Sequence, residues 1–158
     1  MDSSTPHARR FPLPDAMAAA LDQARAAAGL GEVPVGAAIV CDGEIIALAH
    51  NRTRTGNDPT AHAEMLVIRA AAAFLGSERL AGCDLHVTLE PCAMCAGAIA
   101  HARIARLYYG AADPKSGGVA HGARVFDQPT CHHRPEVYAG IGESEASALL
   151  KGFFSARR

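Results

Sequence analysis

Two short segments carry most of the residues in this sequence that could do chemistry. The first contains His62 and Glu64, and the second contains Cys92 and Cys95. Imidazole and thiolate groups favour zinc, and a zinc site that catalyses a reaction keeps three protein ligands and an open position for water. We therefore interpret His62, Cys92 and Cys95 as ligands of one Zn²⁺. Glu64 is then left to move protons beside the metal.

The spacing within each segment suits these separate roles. Cys92 and Cys95 stand three positions apart, so at the start of a helix both lie on one face, with Cβ atoms about 5–6 Å apart. Pro91 fits the first turn of such a helix, whose positive end favours thiolate over thiol. His62 and Glu64 are two positions apart, which a helix rotates by about 200°. They are therefore poorly placed to bind the same ion and well placed for two different tasks.

Other interpretations of these segments stay open. A C-x-x-C pair can be a redox-active dithiol, although no thioredoxin-like pattern surrounds this one. The zinc site could instead be structural, within a non-enzymatic binding module, and would then need a fourth ligand. The candidates for that ligand are His86, His101, Cys83 and Cys131. The joint pattern, with a helix and a strand predicted between the two segments, favours the catalytic interpretation.

Length and composition exclude several classes of protein. A chain of 158 residues can form one domain with a single core. It contains no apolar run of about 18 residues, so we expect no membrane span. A net charge of −1 argues against general charge-driven binding of nucleic acid, so any RNA contact must come from a local patch. The five cysteines do not form a disulfide framework, which predicts reduced thiols and a cytoplasmic location.

The first 14 residues differ in character from the rest of the chain. They are polar, contain proline and lack the apolar core of a signal peptide. We expect residues 1–14 to be a flexible tail and residues 15–158 to form a single zinc-dependent domain.

Apolar periodicity and turn residues predict alternating helices and strands. Asp42-Gly43 between two apolar runs predicts a tight hairpin, and Thr60 is a plausible N-cap for the helix after it. That helix is apolar nearly all round, so we expect it to be largely buried. Gly110 is predicted to close the fourth strand. The predicted elements are helices over 15–29, 62–75, 92–102 and 143–158 and strands over 33–40, 44–50, 84–89, 104–109 and 135–141.

This order of elements predicts an α/β fold. Alternating strands and helices in the second half imply βαβ units with parallel pairing, while the hairpin supplies an antiparallel pair. We expect a three-layer α/β/α domain with an open, mixed sheet of about five strands and helices on both faces. Both chemical segments fall where a strand or loop gives way to a helix. Open α/β sheets bind their ligands at that kind of edge.

Several segments together resemble the cytidine-deaminase-like superfamily. Those shared with the superfamily are EVPVG (32–36), NR (51–52), DPTAHAE (58–64) and TLEPCAMCAG (88–97). The histidine, glutamate and cysteine pair within them occur in cytosine, cytidine and guanine deaminases alike and do not select a substrate. More discriminating segments are similar to those of the bacterial tRNA adenosine deaminases. They are DPKSG (113–117), HR (133–134) and LLKGFFSARR (149–158), whereas residues 122–131 depart from the family pattern.

The resemblance implies a homodimeric enzyme that converts adenosine to inosine at the wobble position of an arginine tRNA anticodon. It implies one Zn²⁺ per subunit, held by His62, Cys92 and Cys95, which activates the water that attacks C6 of a flipped adenine. Glu64 would carry one proton to the purine ring and a second to the departing amine. The alternative is a deaminase of the same fold that acts on a free base or nucleoside such as guanine, cytosine or cytidine.

The resemblance also suggests which residues contact the substrate. Asn51 is suited to hydrogen-bond the base or its sugar, and the backbone N–H of Ala63 could bind the base edge. Asp113 is a further candidate, although a residue in its position can equally be a turn former. Phe154 is a candidate for packing against RNA, although it could belong to the core. The candidates for phosphate contacts are Lys115, Lys151, Arg157 and Arg158, which could also be solvated charges.

Overall fold

The structure is a computed structural model that describes residues 13–157. Its helices are α1 (Asp15–Gly29), α2 (Ala63–Leu75), α3 (Ala93–Ala102) and α4 (Glu143–Ser155), and a 3₁₀ turn spans Val125–Asp127. Its strands are β1 (Gly36–Cys41), β2 (Glu44–His50), β3 (Asp84–Leu89), β4 (Arg106–Ala111) and β5 (Glu136–Tyr138). Residues 1–12 of the predicted tail and Arg158 lie outside the described residues.

All five strands belong to one mixed sheet in the order β2-β1-β3-β4-β5. β1 pairs antiparallel with both β2 and β3, whereas β4 runs parallel to β3 and to β5. The segment from β3 through α3 to β4 is therefore the expected βαβ unit. The predicted α/β fold with a five-stranded mixed sheet is confirmed.

The two faces of the sheet bury separate clusters of apolar side chains. Ile39, Leu85 and Leu107 belong to the cluster that packs against α2 and α3. Ala38 and Tyr108, their neighbours in sequence, belong to the cluster that packs against α1 and α4. Successive residues of a strand point to opposite faces, so this division follows from the alternation and produces the three layers.

The hairpin between β1 and β2 forms where the sequence predicts it. Asp42 has φ +51° and Gly43 has φ +79°, so both central residues are left-handed, as a two-residue type I′ turn requires. Cys41 pairs with Glu44 across the turn.

The predicted N-cap at Thr60 is wrong. The Thr60 hydroxyl and backbone N–H both donate to Asp58 Oδ1, at 2.7 and 2.9 Å. The side chain of Thr60 thus closes a turn around Asp58, and α2 begins three residues later, after His62. As a result, the residue at the N-terminal boundary of α2 is a metal-ligand candidate.

The prediction that α2 is largely buried is also wrong. Only Ala63, Glu64, Val67 and Ala71 of this helix are buried. Phe74 is 70% exposed and Leu75 is 39% exposed. The helix packs one face against the sheet and α3, and within the described chain nothing covers its opposite face.

Several strand boundaries differ from the predicted ones. Gly110 lies inside β4 and does not close it. A Cβ atom at Gly110 would lie 2.7 Å from the Thr88 carbonyl oxygen and 3.1 Å from Ala146 Cβ, so β4 needs glycine there to pack beside β3 and α4. β5 is three residues long instead of seven.

Among residues 13–157, no helix is long and apolar enough to cross a membrane.

The contact between α1 and β1 gives a stability prediction. A Cβ atom on Gly36 would overlap the Ala20 carbonyl oxygen and lie 2.6 Å from the Ala24 nitrogen. We expect Gly36→Ala to lower the free energy of unfolding by about 1–3 kcal/mol, because α1 must shift. Urea denaturation followed by circular dichroism measures this. Gly29→Ala is the matched control, since a Cβ there meets nothing within 4 Å. Equal stability of the Gly36 variant and the wild type would contradict the close approach.

Candidate active site

The starts of two helices meet at the proposed metal site. His62 immediately precedes α2 with an extended backbone (φ −72°, ψ 151°). Cys92 holds the same position before α3 (φ −70°, ψ 174°), and Cys95 lies in the first turn of that helix. β3 leads directly into this segment, so the sheet fixes where the cysteines stand.

The three candidate ligands converge with the geometry of a metal site. His62 Nδ1 lies 3.6 Å from Cys92 Sγ and 3.5 Å from Cys95 Sγ, and all three atoms fall within 4.8 Å of one another. Tetrahedral zinc, with Zn–S of about 2.3 Å and Zn–N of about 2.0–2.1 Å, separates nitrogen from sulfur by about 3.5–3.6 Å. The donor set therefore fits zinc in both chemistry and spacing.

A fourth protein ligand is not part of this arrangement. Within the described part of the chain, His62, Cys92 and Cys95 are the only group of three or more His, Cys, Asp or Glu side chains that converges closely enough to hold a metal. The proposed alternatives, His86, His101, Cys83 and Cys131, do not belong to the group. Three ligands match a catalytic site more closely than a structural one.

The two candidate cysteine ligands have pKa values that shift in opposite directions. The hydrogen bond with Cys95 lowers the pKa of Cys92 to about 4, although burial opposes this shift. The same contact, together with burial, raises the pKa of Cys95. Two adjacent thiolates therefore need a positive charge between them. A metal ion supplies that charge, since it binds cysteine as thiolate and displaces the proton.

Glu64 lies beside the ligands and outside their group. It occupies the first turn of α2, and only 4% of the residue is exposed. Burial raises the pKa of its carboxyl, and the negative charge of Cys92 adds to that effect. A carboxyl with a raised pKa is suited to accept and donate protons in turn. Glu64 thus has the position and the environment of a general acid–base.

Asn51 connects the loop after β2 to the start of α2. Its Oδ1 accepts a hydrogen bond of 2.8 Å from the Ala63 N–H. The Ala63 N–H is therefore satisfied within the chain, and a base edge would have to replace Asn51 in order to use it. A role for Ala63 or Asn51 in substrate binding stays a prediction.

Four of the predicted substrate contacts come together in one cavity of about 690 Å³. Asp113 and Lys115 contribute from the loop after β4, and Phe154 and Arg157 contribute from α4 and the residues after it. Leu89, at the end of β3, also lines the cavity, whereas His62, Glu64, Cys92 and Cys95 do not. The cavity therefore lies at the carboxyl ends of β3 and β4, the edge at which a ligand site is expected.

These lining residues differ in how firmly they are held. Asp113 Oδ1 accepts hydrogen bonds from the Lys115 and Ser116 N–H groups, so Asp113 does form a turn. The Arg157 guanidinium lies 3.4 Å from the centre of the Phe153 ring and donates to the Phe153 carbonyl. Phe153 is buried, whereas Phe154 is 49% exposed.

Comparison with known proteins identifies the family. A sequence-family model, that of the cytidine and deoxycytidylate deaminase zinc-binding region, matches residues 13–111. The chain is 59% identical over 142 residues to the tRNA-specific adenosine deaminase of Agrobacterium fabrum, covering 90% of this chain and 93% of that protein. The chain belongs to the bacterial tRNA adenosine deaminase family. It is accordingly a hydrolytic deaminase.

Solved structures agree with this assignment. One, from a study of A-to-I editing by tRNA:A34 deaminases at the wobble position of transfer RNA, is 60% identical with a TM-score of 0.84. The match covers 85% of this chain and 98% of that one. The guanine deaminase of Bacillus subtilis is 35% identical with a TM-score of 0.61, covering 90% and 91% of the two chains. The fold is thus shared by deaminases of different named substrates.

The sequence predictions for this deaminase miss one buried acid beside the site. Glu90, between β3 and Pro91, is 2% exposed. Burial alone would raise the pKa of its carboxyl, but hydrogen bonds from Asp113, His121 and neighbouring backbone groups hold that pKa below its usual value. A glutamate that ends an apolar strand and precedes a metal-ligand motif is an unusual pattern, and that pattern is the signal by which it could have been found.

The ligand geometry gives a prediction about metal content. We expect the purified deaminase to carry about one zinc per chain, and Cys92→Ala and Cys95→Ala to carry almost none, because two remaining ligands cannot close the site. Mass spectrometry of the metal in dialysed protein measures this. Cys131→Ala is the control, since that thiol donates to the His133 carbonyl and lies outside the group. Loss of zinc from the Cys131 variant would support the four-ligand, structural interpretation instead.

Proposed function

We propose that this deaminase converts adenosine to inosine at the wobble position of an arginine tRNA anticodon. The chemistry is supported by a buried carboxylate, Glu64, beside three converging candidate metal ligands. The observation that carries the choice of substrate is the 59% identity to a tRNA-specific adenosine deaminase over 90% of the chain. A tRNA substrate would in turn place the enzyme in the cytoplasm.

The reaction replaces the exocyclic amine of adenine with oxygen from water. His62, Cys92 and Cys95 would hold the metal, which when bound makes a water molecule more acidic and nucleophilic. Glu64 accepts a proton from the attacking water and delivers it to a ring nitrogen of the purine. It then takes a second proton from the hydroxyl group that the attack has placed on C6 and transfers it to the amine. The bond between C6 and the amine nitrogen breaks, the C6 oxygen becomes a carbonyl, and ammonia leaves. The balanced change is adenosine and water to inosine and ammonia.

The base would be held next to Glu64 by the start of α2. Asn51 Oδ1 is engaged by the Ala63 N–H. The amide nitrogen of Asn51 is therefore the group that we assign to the base or its ribose. The alternative use of the Ala63 N–H requires the substrate to displace Asn51.

The anticodon loop would cross the cavity that lies between α4 and the loop that follows β4. Bases in such loops are already partly unstacked, so turning one into the site costs little. Lys115 and Arg157 line the cavity, and exposed Lys151 on α4 lies in the same C-terminal region. We assign these cations to phosphates and the exposed ring of Phe154 to packing against a nucleotide. Asp113 would fix the turn that presents Lys115.

A homodimer is the expected assembly of this enzyme. The support is the uncovered face of α2, where Phe74 is 70% exposed and Leu75 is 39% exposed. A second subunit that packed against this face would remove both apolar side chains from water. Light scattering should therefore report twice the mass of the chain at micromolar concentration, and a monomeric mass would contradict the dimer.

Activity on a free base is the competing function. The similarity to guanine deaminase favours it, since the same fold and ligand pattern serve that reaction. Incubation with an in vitro transcribed arginine tRNA, followed by detection of inosine at position 34, tests the proposal directly. A transcript with guanosine at that position is the matched control. Ammonia released from guanine, cytosine or cytidine, with no inosine in the tRNA, would favour the competing function.

The assignment of Glu64 gives a prediction about turnover. We expect Glu64→Gln to keep the fold and the bound zinc but to lower kcat about 10²–10⁴-fold, because the amide cannot carry protons. Single-turnover deamination of the tRNA measures the rate. Glu145→Gln is the matched control, since it makes the same change in the first turn of α4 on an exposed residue. Turnover near wild type in the Glu64 variant would remove Glu64 from this role.

The assignment of phosphate contacts gives a prediction about salt. We expect Lys115→Ala and Arg157→Ala each to weaken tRNA binding and to reduce the slope of log affinity against log salt by about one. Titrations at several salt concentrations measure the slope.

Arg79→Ala is the matched control for these two variants. It removes the same charge beyond the far end of α2, a helix of 13 residues that spans about 20 Å from the site. An affinity that does not depend on salt, or an equal loss in the Arg79 variant, would contradict the assignment.

A further inference from the structure

Glu90 is surrounded by hydrogen-bond donors from a single loop. Its side chain is fully buried, and Oε1 accepts from the Asp113 N–H at 3.1 Å and from His121 Nδ1 at 2.7 Å. Oε2 accepts from the N–H groups of Val119, Ala120 and His121, at 3.2, 3.0 and 3.2 Å. All five donors lie between residues 113 and 121, so one carboxylate holds both ends of this segment.

The same segment rests directly on the residues that carry the cysteine ligands. The Gly118 N–H donates to the Pro91 carbonyl at 2.8 Å. A Cβ atom on Gly118 would lie 2.5 Å from the Ala93 nitrogen, and one on Gly117 would overlap Glu90 Oε2. The loop therefore packs against the first turn of α3 with no space for a side chain between them.

The loop also forms part of the proposed substrate cavity. Asp113 and Lys115 line that cavity at one end of the segment, and His121 contacts Glu90 at the other end. Glu90 itself is two residues from Cys92. It thus lies between the wall that would face the tRNA and the ligands that would hold the metal.

We propose that Glu90 is a positioning residue that fixes residues 113–121, and with them the cavity wall, relative to Cys92 and Cys95. The part of this inference that concerns tRNA rests on the proposed function. The part that concerns the loop rests on the contacts alone.

Only a carboxylate satisfies this set of donors. Its two oxygen atoms accept without donating, whereas glutamine would present an amide N–H₂ either to the three N–H groups at Oε2 or to the two donors at Oε1. Hydrogen bonds to a charged acceptor are also stronger than those to a neutral one. Glu90→Gln therefore preserves size and shape but loses either two or three of the five contacts.

The experiment compares Glu90→Gln and His121→Ala with the wild type. Hydrogen exchange measured by mass spectrometry reports the amides of residues 113–121, release of zinc to a chelator reports the ligands, and KM and kcat are measured on the tRNA. We expect Glu90→Gln to speed amide exchange in this segment by about tenfold or more, to speed zinc release, and to raise KM more than it lowers kcat. His121→Ala should show the same pattern to a smaller extent. The His121 side chain is 37% exposed, so its removal should leave the fold intact.

Asp84→Asn is the matched control. Asp84 is the first residue of β3, the strand that Glu90 follows, and it pairs with Arg106 at the amino ends of β3 and β4, away from residues 113–121. It should leave exchange in 113–121, zinc release and KM unchanged. Wild-type exchange and KM in both test variants, or the same changes in the Asp84 variant, would overturn the proposal. If the wild type failed to deaminate tRNA, the proposed function would fall, while exchange and zinc release would still decide the role of Glu90.

Discussion

The site depends on two helices whose starts lie so close together that side chains from both can bind one ion. His62 ends a loop before α2, and Cys92 ends the connection from β3 to α3. His62 Nδ1 nevertheless lies 3.6 Å from Cys92 Sγ and 3.5 Å from Cys95 Sγ. The sheet fixes one side of this junction, because β3 is paired on both edges. Asn51 fixes the other side through its hydrogen bond to the Ala63 N–H. Both helices also direct the positive ends of their dipoles toward the sulfur and carboxylate groups.

Two buried glutamates near this junction behave differently because their surroundings differ. Glu64 is buried with few donors, so loss of hydration dominates and raises the pKa of its carboxyl. Glu90 is equally buried but accepts five hydrogen bonds, which lower the pKa of its carboxyl despite burial. The first is suited to exchange protons, and the second is suited to remain charged and hold other groups in place. Environment, more than residue type, separates the two roles.

The sequence predicts the structure correctly where a local pattern of residues determines the backbone geometry. The hairpin at Asp42-Gly43 follows from two residues that tolerate left-handed backbone, and the ligand group follows from spacing that a helix start makes convergent. The parallel βαβ unit follows from the alternation of elements. These features need no knowledge of distant contacts.

One wrong prediction concerns a local competition. Thr60 has the chemistry of an N-cap, but both of its donors bind Asp58 Oδ1, two residues earlier. The other differences concern contacts that cross the fold. The burial of α2 depends on what covers its second face, and its composition does not reveal this. Glu90 meets donors that lie 23 to 31 positions away in the chain, so its surroundings become visible only when the loop is folded.

The way in which Glu90 is bound has a consequence for divergence within this fold. Four of its five donors are backbone N–H groups, and only His121 contributes a side chain. Replacement of Val119 or Ala120 by another residue other than proline leaves those bonds in place. The loop can therefore change its outward chemistry while its path stays constant. Substitutions in this loop can thus change which ligands the cavity accepts, while His62, Cys92 and Cys95 stay in place.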